Sequence, residues 1–580
     1  FNKKKEDFYQ CKFPPFLLPV ILLCDTIKCI RLRIRVYMFI KDEIQTKKGA
    51  KVIIDTLKAL GVDTIFGYPG GIVLDLYDEL YRQSEIKHVL VRHEQSAVHA
   101  AEGYARVTGK CGVALVTSGP GATNTVSGIV NAYLDGFPVV VLTGQVFKNL
   151  IGKDAFQEAN ICDITKSCTK KVFQVTDARE LQSTLKEAFT VAMSGKKGPV
   201  VVDLSKNVFG EFVEYKTDNV SSNSESLKCS KQDIERIFNR IKNSKRPVIV
   251  TGGGVAHSGA EEELFALSNS LNIPVVATMM GVGTFPQNSQ NYFGMIGIFG
   301  DKAANQILKD SDLIISLGAR FNDRITCMFK DCNLAEKFIQ VDINPLEIGR
   351  VIDGVDSICA DVRDFLHALN KMPKSVDFSP WLDKAQGLRG LNTPNKKISN
   401  MLHSFEVIQH IEKFTKNKDV IFTSEVGQHM LWAVQNLSLN KDRKILLSGG
   451  SGTMGFGFPA GIGAAIAKPD KTIVCISGDG SFQMNLEELA VCKDYNLNVK
   501  IMILNNGYLG MVRQLQEKSF GGRYCETKIS NPDFLKLAES YGIGSRRVAS
   551  IDEIEEALTC AFSTEGPFVV DFVVEPMELL

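Results

Sequence analysis

Gly478-Asp479-Gly480 and, further along the chain, Asn505-Asn506-Gly507 are the stretches that decide how this sequence folds. Each follows a largely apolar run, residues 472–477 before the first and residues 499–504 before the second. Residues 485–492, which lie between them, carry leucine and valine at helical spacing. A strand, a helix and a second strand within about 30 residues form a βαβ unit, whose parallel strands end at the same sheet edge. The Asp479 carboxylate and the Asn506 carboxamide are therefore predicted to meet at that edge.

These two side chains have the chemistry of a magnesium site. A hard cation such as Mg²⁺ prefers oxygen ligands and leaves coordination positions for diphosphate oxygens and water. Gly478 and Gly480 let backbone N–H groups approach a diphosphate, and the start of the following helix favours its charge. Either motif alone is most often only a turn. The two together, each ending a strand, predict binding of thiamine diphosphate (ThDP) with Mg²⁺.

Length and composition indicate a globular protein of several domains. At about 150 residues per domain, 580 residues predict three or four domains. The net charge of +1 gives no electrostatic reason to expect a nucleic-acid partner. The 14 cysteines include no Cys-x-x-Cys pair, and the 8 histidines show no metal-ligand spacing. This pattern predicts no zinc site and a reducing compartment, the cytoplasm or a plastid in a photosynthetic source.

The N-terminal segment differs from the rest of the chain. Its first methionine is Met38, and its apolar run at residues 16–24 contains a proline. That run is too short to span a bilayer, so no membrane association is expected. We expect residues 1–47 to be an extension that is disordered or not native, with a transit peptide as the alternative.

Alternating helix and strand signals predict an α/β protein with three doubly wound parallel-sheet domains, whose chemistry lies in the loops after the strands. The predicted domains are residues 48–210, residues 229–370 and residues 401–580, the last of which contains the metal motif. Residues near 211–228 and residues 371–400 are predicted linkers because turn-forming and polar residues dominate them.

Glu94, at the predicted end of a first-domain strand, is the candidate for the second half of the site. ThDP becomes reactive when its aminopyrimidine takes the imino form. A carboxyl group that is hydrogen-bonded to the pyrimidine ring favours this form, best in a poorly solvated pocket that raises its pKa. Alternatively, Glu94 only favours the start of the helix that begins near Gln95.

Several motifs resemble the catalytic subunits of the acetohydroxyacid synthase (acetolactate synthase) family. The similarity runs from about residue 48 to residue 576, and its motifs are residues 68–71, 92–95, 118–124, 154–158, 318–324, 452–460 and 510–512. The resemblance implies a transferase that decarboxylates pyruvate on ThDP. It then passes the hydroxyethyl group to a second 2-ketoacid, pyruvate or 2-ketobutyrate, in the biosynthesis of valine, leucine and isoleucine.

The resemblance implies roles for individual residues. Glu94 becomes the activating glutamate, and Asp479, Asn506 and the Tyr508 carbonyl become Mg²⁺ ligands. The residues implied to face the reacting carbonyl groups are Gly71, Phe156, Gln157 and Lys206. Those implied to bind ThDP are Val426, Gly427, Gln428, His429, Gly452, Met454, Gly478, Gly480, Ser481 and Met511, with Met454 or Met511 bending the cofactor. Alternatively, the methionines fill the core, His429 is an ordinary loop residue, and Lys206 is a solvated surface charge.

The resemblance also implies FAD with no net redox part, and partner subunits. The implied FAD positions are Gly252, Gly253, Gly254, Thr278, Gly318, Arg320, Arg324, Asp342, Ile343 and Asp361, although glycines after strands are often only tight turns. A homodimer is the implied minimum unit, because the activating glutamate and the diphosphate clamp come from different subunits. A homotetramer and a separate regulatory small subunit are also expected.

Five positions depart from the family pattern. Phe299 stands where His is common and Asn322 where Asp is common, which puts flavin affinity in doubt. The usual Pro-Lys-Asp reads Ser-Lys-Asn at residues 205–207. Leu515 replaces a Trp at a position associated with acceptor choice and herbicide binding. We therefore expect a weakened preference for 2-ketobutyrate and poor herbicide sensitivity.

Three other functions are alternatives to the acetolactate synthase reaction. A pyruvate oxidase-type enzyme would pass electrons from the same carbanion to FAD. A catabolic acetolactate synthase would lack FAD, against which the Arg320 segment argues. A non-catalytic ThDP-fold subunit would be expected to have lost Glu94 or Asp479, and both are present.

Overall fold

The computed structural model describes residues 45–216, 229–326, 334–373, 375–392 and 395–580. It contains three six-stranded sheets in which every strand pairing is parallel, and this confirms the predicted α/β fold of three domains. Most of the predicted N-terminal extension, residues 1–44, lies outside the described residues. Within the described residues, every helix is too short or too polar to cross a bilayer.

The first sheet has the strand order β3-β2-β4-β5-β7-β6. Alternate residues of β5 belong to different cores: Val139 and Val141 pack on one face, and Val140 and Leu142 on the other. Both faces are buried, which explains the continuous apolar run. The six strands of this sheet are β2 (Thr64–Gly67), β3 (Lys87–Leu90), β4 (Gly112–Val116), β5 (Val139–Gln145), β6 (Lys171–Val175) and β7 (Val200–Ser205). Strands β1 (Gln45–Lys48) and β8 (Phe212–Tyr215) form a separate two-stranded sheet. The helices are α1 (Gly49–Ala59), α2 (Leu74–Tyr81), α3 (Glu94–Thr108), α4 (Pro120–Thr123), α5 (Val126–Asp135), α6 (Ile161–Thr165), α7 (Leu181–Met193) and α8 (Lys206–Gly210).

The central sheet has the strand order β11-β10-β9-β12-β13-β14. Its strands are β9 (Pro247–Thr251), β10 (Val275–Ala277), β11 (Tyr292–Met295), β12 (Leu313–Leu317), β13 (Phe338–Asp342) and β14 (Asp356–Cys359). Its helices are α9 (Lys231–Asn243), α10 (Gly253–Ser258), α11 (Glu261–Leu271), α12 (Lys302–Asp310), α13 (Asp323–Thr326), α14 (Leu334–Lys337), α15 (Val362–Leu369) and α16 (Ser379–Gly387).

The third sheet has the strand order β16-β15-β17-β18-β20-β19. Its strands are β15 (Val420–Thr423), β16 (Ile445–Leu446), β17 (Thr472–Gly478), β18 (Val499–Asn505), β19 (Gly544–Val548) and β20 (Phe568–Val573). Its helices are α17 (Ser404–Thr415), α18 (Gln428–Asn436), α19 (Gly457–Ala467), α20 (Asp479–Phe482), α21 (Leu489–Asp494), α22 (Gly510–Phe520), α23 (Phe534–Ser540) and α24 (Ile554–Ser563). The predicted βαβ unit is β17, α21 and β18, and its two strands are direct neighbours.

Three predicted boundaries differ from the structure. Strand β1 begins within the predicted extension, and β8 lies within the predicted linker near 211–228; the two pair antiparallel. The predicted linker 371–400 contains helix α16, whose Trp381 donates from Nε1 to the Pro247 carbonyl at 3.0 Å and packs in the central core. Strand β1 has no apolar residue, and β8 and α16 are short with one apolar side, so the sequence gives little pattern for any of them.

Helices α3 and α19 hold the first and third domains together through glycine. A Cβ atom on Gly463 would lie 1.9 Å from the Ala100 carbonyl oxygen. A Cβ atom on Gly103 would lie 2.1 Å from the Ala460 carbonyl oxygen. Because backbone, not a flexible side chain, occupies both places, the helices approach this closely only if neither residue has a side chain. The two domains of one chain are thereby fixed in one relative position.

We expect Gly463→Ala to destabilise the protein, because α3 and α19 must move apart to admit the methyl group. Overpacking of this kind costs about 1–3 kcal/mol, which should lower the midpoint of thermal unfolding. The matched control is Gly387→Ala at the end of α16, where a Cβ atom meets nothing within 4 Å. Equal unfolding midpoints for the two variants would contradict this account of the domain contact.

Candidate active site

An open cavity of about 540 Å³ lies at the carboxyl ends of β15, β17 and β18. Open parallel sheets commonly bind ligands at this edge. Of the predicted cofactor and metal residues, those that line the cavity are Val426, Gly427, Gln428, His429, Met454, Gly478, Asp479, Gly480, Ser481, Asn506, Tyr508 and Met511. Gly452 lies just behind this wall, where a Cβ atom would be 3.6 Å from Val426 Cγ2. Their binding roles stay predictions.

Asp479 is held in a fixed orientation by N–H donors. Its Oδ2 accepts from the Gly507 amide at 2.8 Å and from Asn531 Nδ2 at 2.8 Å, and its Oδ1 accepts from the Gly480 amide at 3.0 Å. Burial raises the pKa of Asp479, and its bond from Asn531 opposes that shift. A buried carboxylate with further capacity for a cation is the result.

The neighbouring strand end provides the other oxygens. Asn506 Oδ1 accepts from the Tyr508 amide at 3.0 Å, which folds the turn after β18 towards Asp479. One carboxylate, one carboxamide and one carbonyl suit Mg²⁺, which normally keeps several water or phosphate ligands. The described residues contain no cluster of three or more His, Cys, Asp or Glu that could hold a metal. Any Mg²⁺ here would therefore depend on the diphosphate for part of its coordination.

Two glycines in the cavity wall, Gly480 and Gly510, leave space in the cavity for a ligand. A Cβ atom on Gly480 would lie 2.9 Å from Leu509 Cδ2, and one on Gly510 would lie 2.2 Å from Gln428 Oε1. Side chains at these positions would displace wall residues into the cavity. The ring of His429 lines this wall, and its buried Nε2 lies 3.4 Å from Glu425 Oε1. The open space beside Asp479 and Asn506 suits a diphosphate that shares a cation with them.

Sequence reasoning missed several residues of this site. The cavity is also lined by Ser404, Leu504, Leu509, Gly510 and Val512. Asn531 bridges Asp479 and Asn505 from a loop before α23, at 2.8 and 2.9 Å. Gly510 and Val512 belong to a motif that was recognised, so their place was available from the sequence. Asn531 had no such signal, because only the tertiary fold brings its loop to the metal motif.

Glu94 begins helix α3 at the carboxyl edge of the first sheet. Its Oε2 accepts from Asn124 Nδ2 at 3.0 Å. The Nδ1 atom of His93, not Glu94, caps the helix by accepting from the Gln95 amide. The glutamate therefore remains available for another partner.

The loop that carries Phe156 and Gln157 lies at the same edge. Glu158 accepts from the amides of Gly152, Lys153 and Ala155, and the Gly152 bond is the main reason that the pKa of Glu158 is lowered. Gly119 lets the loop approach, since a Cβ atom there would lie 2.9 Å from Gln157 Cα. Phe156 is 89% exposed, an unusual state for a phenylalanine in a single chain.

Lys206 and Gly71 also lie at this edge. Gly71 is exposed and begins a 3₁₀ turn, Gly71–Val73, that ends at buried Val73. The Lys206 ammonium group donates to the Ile72 carbonyl at 3.0 Å and forms an ion pair with Asp75. The alternative that Lys206 is a freely solvated surface charge is therefore wrong.

The structure brings the predicted residues together in two groups. One group surrounds the third-domain cavity, and the other lies on the edge of the first sheet. Among the residues that the structure describes, no first-domain residue lines the cavity. A single chain therefore presents two half-sites, and among the described residues they do not line one common cavity.

The predicted flavin positions lie together at the carboxyl edge of the central sheet. Thr278 follows β10, Arg320 follows β12, Asp342 ends β13 and Asp361 follows β14. Gly252, Gly253 and Gly254 follow β9, Gly318 follows β12, Ile343 follows β13, and Arg324 lies in α13. A dinucleotide commonly binds at such an edge.

Two contacts bear on whether this edge fits FAD. The Gly252 amide donates to the Leu317 carbonyl and the Gly254 amide to the Gly318 carbonyl, both at 3.0 Å. Gly252 and Gly254 are therefore explained by close backbone packing against the loop after β12. The alternative that they form only a tight turn, without binding FAD, stays open. Arg320 also lines a smaller cavity, together with the buried Glu347 and with Phe338 at the start of β13. The Arg320 cation suits an anionic cofactor, whereas the Glu347 carboxylate in the same cavity does not.

Phe299 and Asn322, the two positions that depart from the family's flavin pattern, lie in different surroundings. Phe299 packs against a cluster that includes Met430 and Met511, and its carbonyl accepts from Gln435 Nε2 at 3.0 Å. It therefore lies where the central and third domains meet. Asn322 is exposed at the start of α13.

Comparison with known domain families gives the class of protein. The N-terminal TPP binding domain of thiamine pyrophosphate enzymes matches residues 47–165, the central domain matches residues 234–369, and the C-terminal TPP binding domain matches residues 425–572. These matches follow the three sheets in chain order. The chain is a ThDP-dependent enzyme.

Similarity to individual proteins shows which family of ThDP-dependent enzymes the chain belongs to. A Haemophilus influenzae acetolactate synthase large subunit is 39% identical over 91% of this chain and 95% of its own length. A probable acetolactate synthase large subunit of Methanocaldococcus jannaschii is 42% identical over 92% and 93%. Acetolactate synthase 1, chloroplastic, of Nicotiana tabacum is 38% identical over 93% and 83%. The chain belongs to the acetolactate synthase large-subunit family.

We expect Asn531→Ala to weaken Mg²⁺ binding although Asn531 is not a predicted ligand. The substitution removes the side-chain donor that orients Asp479, and loss of such a support typically costs about 10–100-fold in metal affinity. Calorimetric titration of Mg²⁺ at saturating ThDP measures the effect. Asn498→Ala, whose amide bonds to Thr472 at the opposite end of the sheet, is the control. An unchanged affinity in Asn531→Ala would contradict the assigned geometry.

Proposed function

We propose that this chain catalyses the acetolactate synthase reaction with ThDP, Mg²⁺ and FAD as cofactors. Bound ThDP supplies the electron sink for decarboxylation of pyruvate and carries the hydroxyethyl group to a second 2-ketoacid. The products would be 2-acetolactate from pyruvate and 2-aceto-2-hydroxybutyrate from 2-ketobutyrate. The observation that carries the proposal is the cavity at β15, β17 and β18, with Asp479 and Asn506 at its metal-binding end.

In this proposal the third domain holds the cofactor. Asp479, Asn506 and the Tyr508 carbonyl bind Mg²⁺, which in turn holds the diphosphate. Met454 and Met511 line the cavity as apolar surface against which the cofactor is bent. The buried wall keeps water from the reacting centre.

The first domain completes the site from a second copy of the chain. Glu94 would hydrogen-bond to the pyrimidine ring of the bound cofactor and so favour its reactive tautomer. Gly71, Phe156, Gln157 and Lys206 lie on the same sheet edge and would face the reacting carbonyl groups. A homodimer is the smallest unit that meets this need, because the described half-sites of one chain do not line one common cavity. The 89% exposed Phe156 would be covered by the second copy.

The remaining parts of the proposal have narrower support. FAD at the central sheet edge would serve structure, held through Arg320 and Asp342. A homotetramer and a separate regulatory subunit are proposed on family grounds alone. The nine described cysteines are all free, which supports a reducing compartment, the cytoplasm or a plastid in a photosynthetic source.

Purified protein with pyruvate, ThDP and Mg²⁺ should form 2-acetolactate without oxygen uptake. Glu94→Gln should lower kcat at least about 100-fold, since a general acid or base commonly contributes 10²–10⁴-fold. ThDP affinity should change little, because Asp479 and the cavity wall are intact. Acetyl phosphate formation or oxygen uptake would instead identify a pyruvate oxidase-type enzyme. Full activity in Glu94→Gln would contradict the role of that residue.

Leu515→Trp should raise the preference for 2-ketobutyrate over pyruvate. Leu515 is 45% exposed on α22, one helical turn from cavity-lining Met511 and Val512. A larger apolar wall would discriminate one methylene by about 1–3 kcal/mol, or roughly 5–200-fold. Competition assays with both acceptors measure the ratio, with Leu515→Met as the volume-matched control. An unchanged ratio would remove Leu515 from acceptor choice.

A further inference from the structure

The segment that connects β17 to β18 contacts the first domain on both sides of Glu94. Glu488, fully buried, accepts from the Arg92 amide at 2.9 Å and from the His93 amide at 3.0 Å through one oxygen, Oε1. These two amides precede helix α3 and are not part of its internal hydrogen bonding. The carboxyl group of the third domain therefore holds the backbone immediately before Glu94.

Asn485 holds the chain immediately after Glu94. Its Oδ1 accepts from Ser96 Oγ at 3.0 Å, and its Nδ2 donates to the Gly455 carbonyl at 2.8 Å. Gly455 directly follows Met454 of the cofactor cavity. Asn485 is 2% exposed, so both bonds lie in the interior. One buried side chain thus joins the cavity wall to the helix that Glu94 begins.

Burying the Glu488 carboxyl group here costs free energy, because its charged form loses hydration. Burial raises the pKa of Glu488 to about 7, while its bond to the Arg92 amide opposes the shift. One acceptor oxygen nevertheless takes both amides, so the position of that oxygen, more than its charge, holds the backbone before α3. The chemistry assigned to the site leaves Glu488 without a role.

We propose that Glu488 and Asn485 are positioning residues for Glu94: they fix the backbone on its two sides from the third domain of the same chain. The inference rests on the proposed role of Glu94 in activating ThDP. A displacement of about 1 Å at such a group can cost on the order of 100-fold in rate. Neither residue needs to touch the cofactor for this effect.

The test compares Glu488→Ala with Glu488→Gln, which keeps an acceptor oxygen, and with Asp494→Ala as a control. Asp494 forms only a partly exposed ion pair with Arg92, a type of contact that contributes little. In protein without cofactor, hydrogen–deuterium exchange reports protection of the Arg92 and His93 amides. In protein with ThDP and Mg²⁺, deuterium exchange at the thiazolium C2 position reports activation of the cofactor. Calorimetry reports ThDP affinity.

Glu488→Ala should lose amide protection before α3 and slow C2 exchange about 10–100-fold, with ThDP affinity within about threefold of the original because the cavity is intact. Glu488→Gln and Asp494→Ala should stay close to the original protein. If Glu488→Ala does not fold, Glu488→Asp replaces it in the test. Its side chain keeps the carboxyl group but is too short to bond to both the Arg92 and His93 amides. Unchanged C2 exchange in the folded variant would overturn the inference, provided that Glu94→Gln slows it. If Glu94→Gln leaves C2 exchange unchanged, the activating role of Glu94 fails, and the positioning inference falls with it.

Discussion

The parallel pairing of β17 with β18 is the constraint on which the site depends. Gly478 pairs in register with Leu504, so the next residues of both strands emerge side by side at one sheet edge. The Gly507 amide then reaches Asp479 at 2.8 Å, which ties the two strand ends together. The strands are buried on both faces, and a shift of one residue would exchange their faces and separate these partners. The placement of Asp479 beside the end of β18 is thus a consequence of core packing.

The contact between the first and third domains adds a second constraint. Arg106 of α3 lies between the carboxylates of Glu102 and Asp135, and the Asp135 carboxylate accepts from the amides of Gly449 and Gly450. Burial raises the pKa of Glu102 to about 7. A buried ion cluster of this kind is destabilised strongly when one partner is lost. Together with the glycine crossing of α3 and α19, it fixes the third domain on the first.

The sequence was sufficient to predict the fold class and most of the cavity wall. Fully buried strands such as β17 and β18 give continuous apolar runs, and the polar motifs follow them directly. Helix α16 and strand β8 were missed because short elements with one apolar side leave a weak pattern, and strand β1 because it has no apolar residue. Asn531 and Glu488 were missed for another reason: their partners are remote in the sequence. How the domains dock, and hence where Glu94 lies relative to the cavity, depends on tertiary contacts.

The most direct test of the central claim, that each cofactor site is shared between two chains, is complementation. Glu94→Gln and Asp479→Ala would each be inactive alone, because every site lacks one half. Subunits that are mixed in equal amounts and allowed to exchange should regain about a quarter of the original activity, since random pairing rebuilds one intact site in each mixed dimer. Recovery near that value is the predicted result. Mixed dimers that form but remain inactive would contradict a site shared between chains.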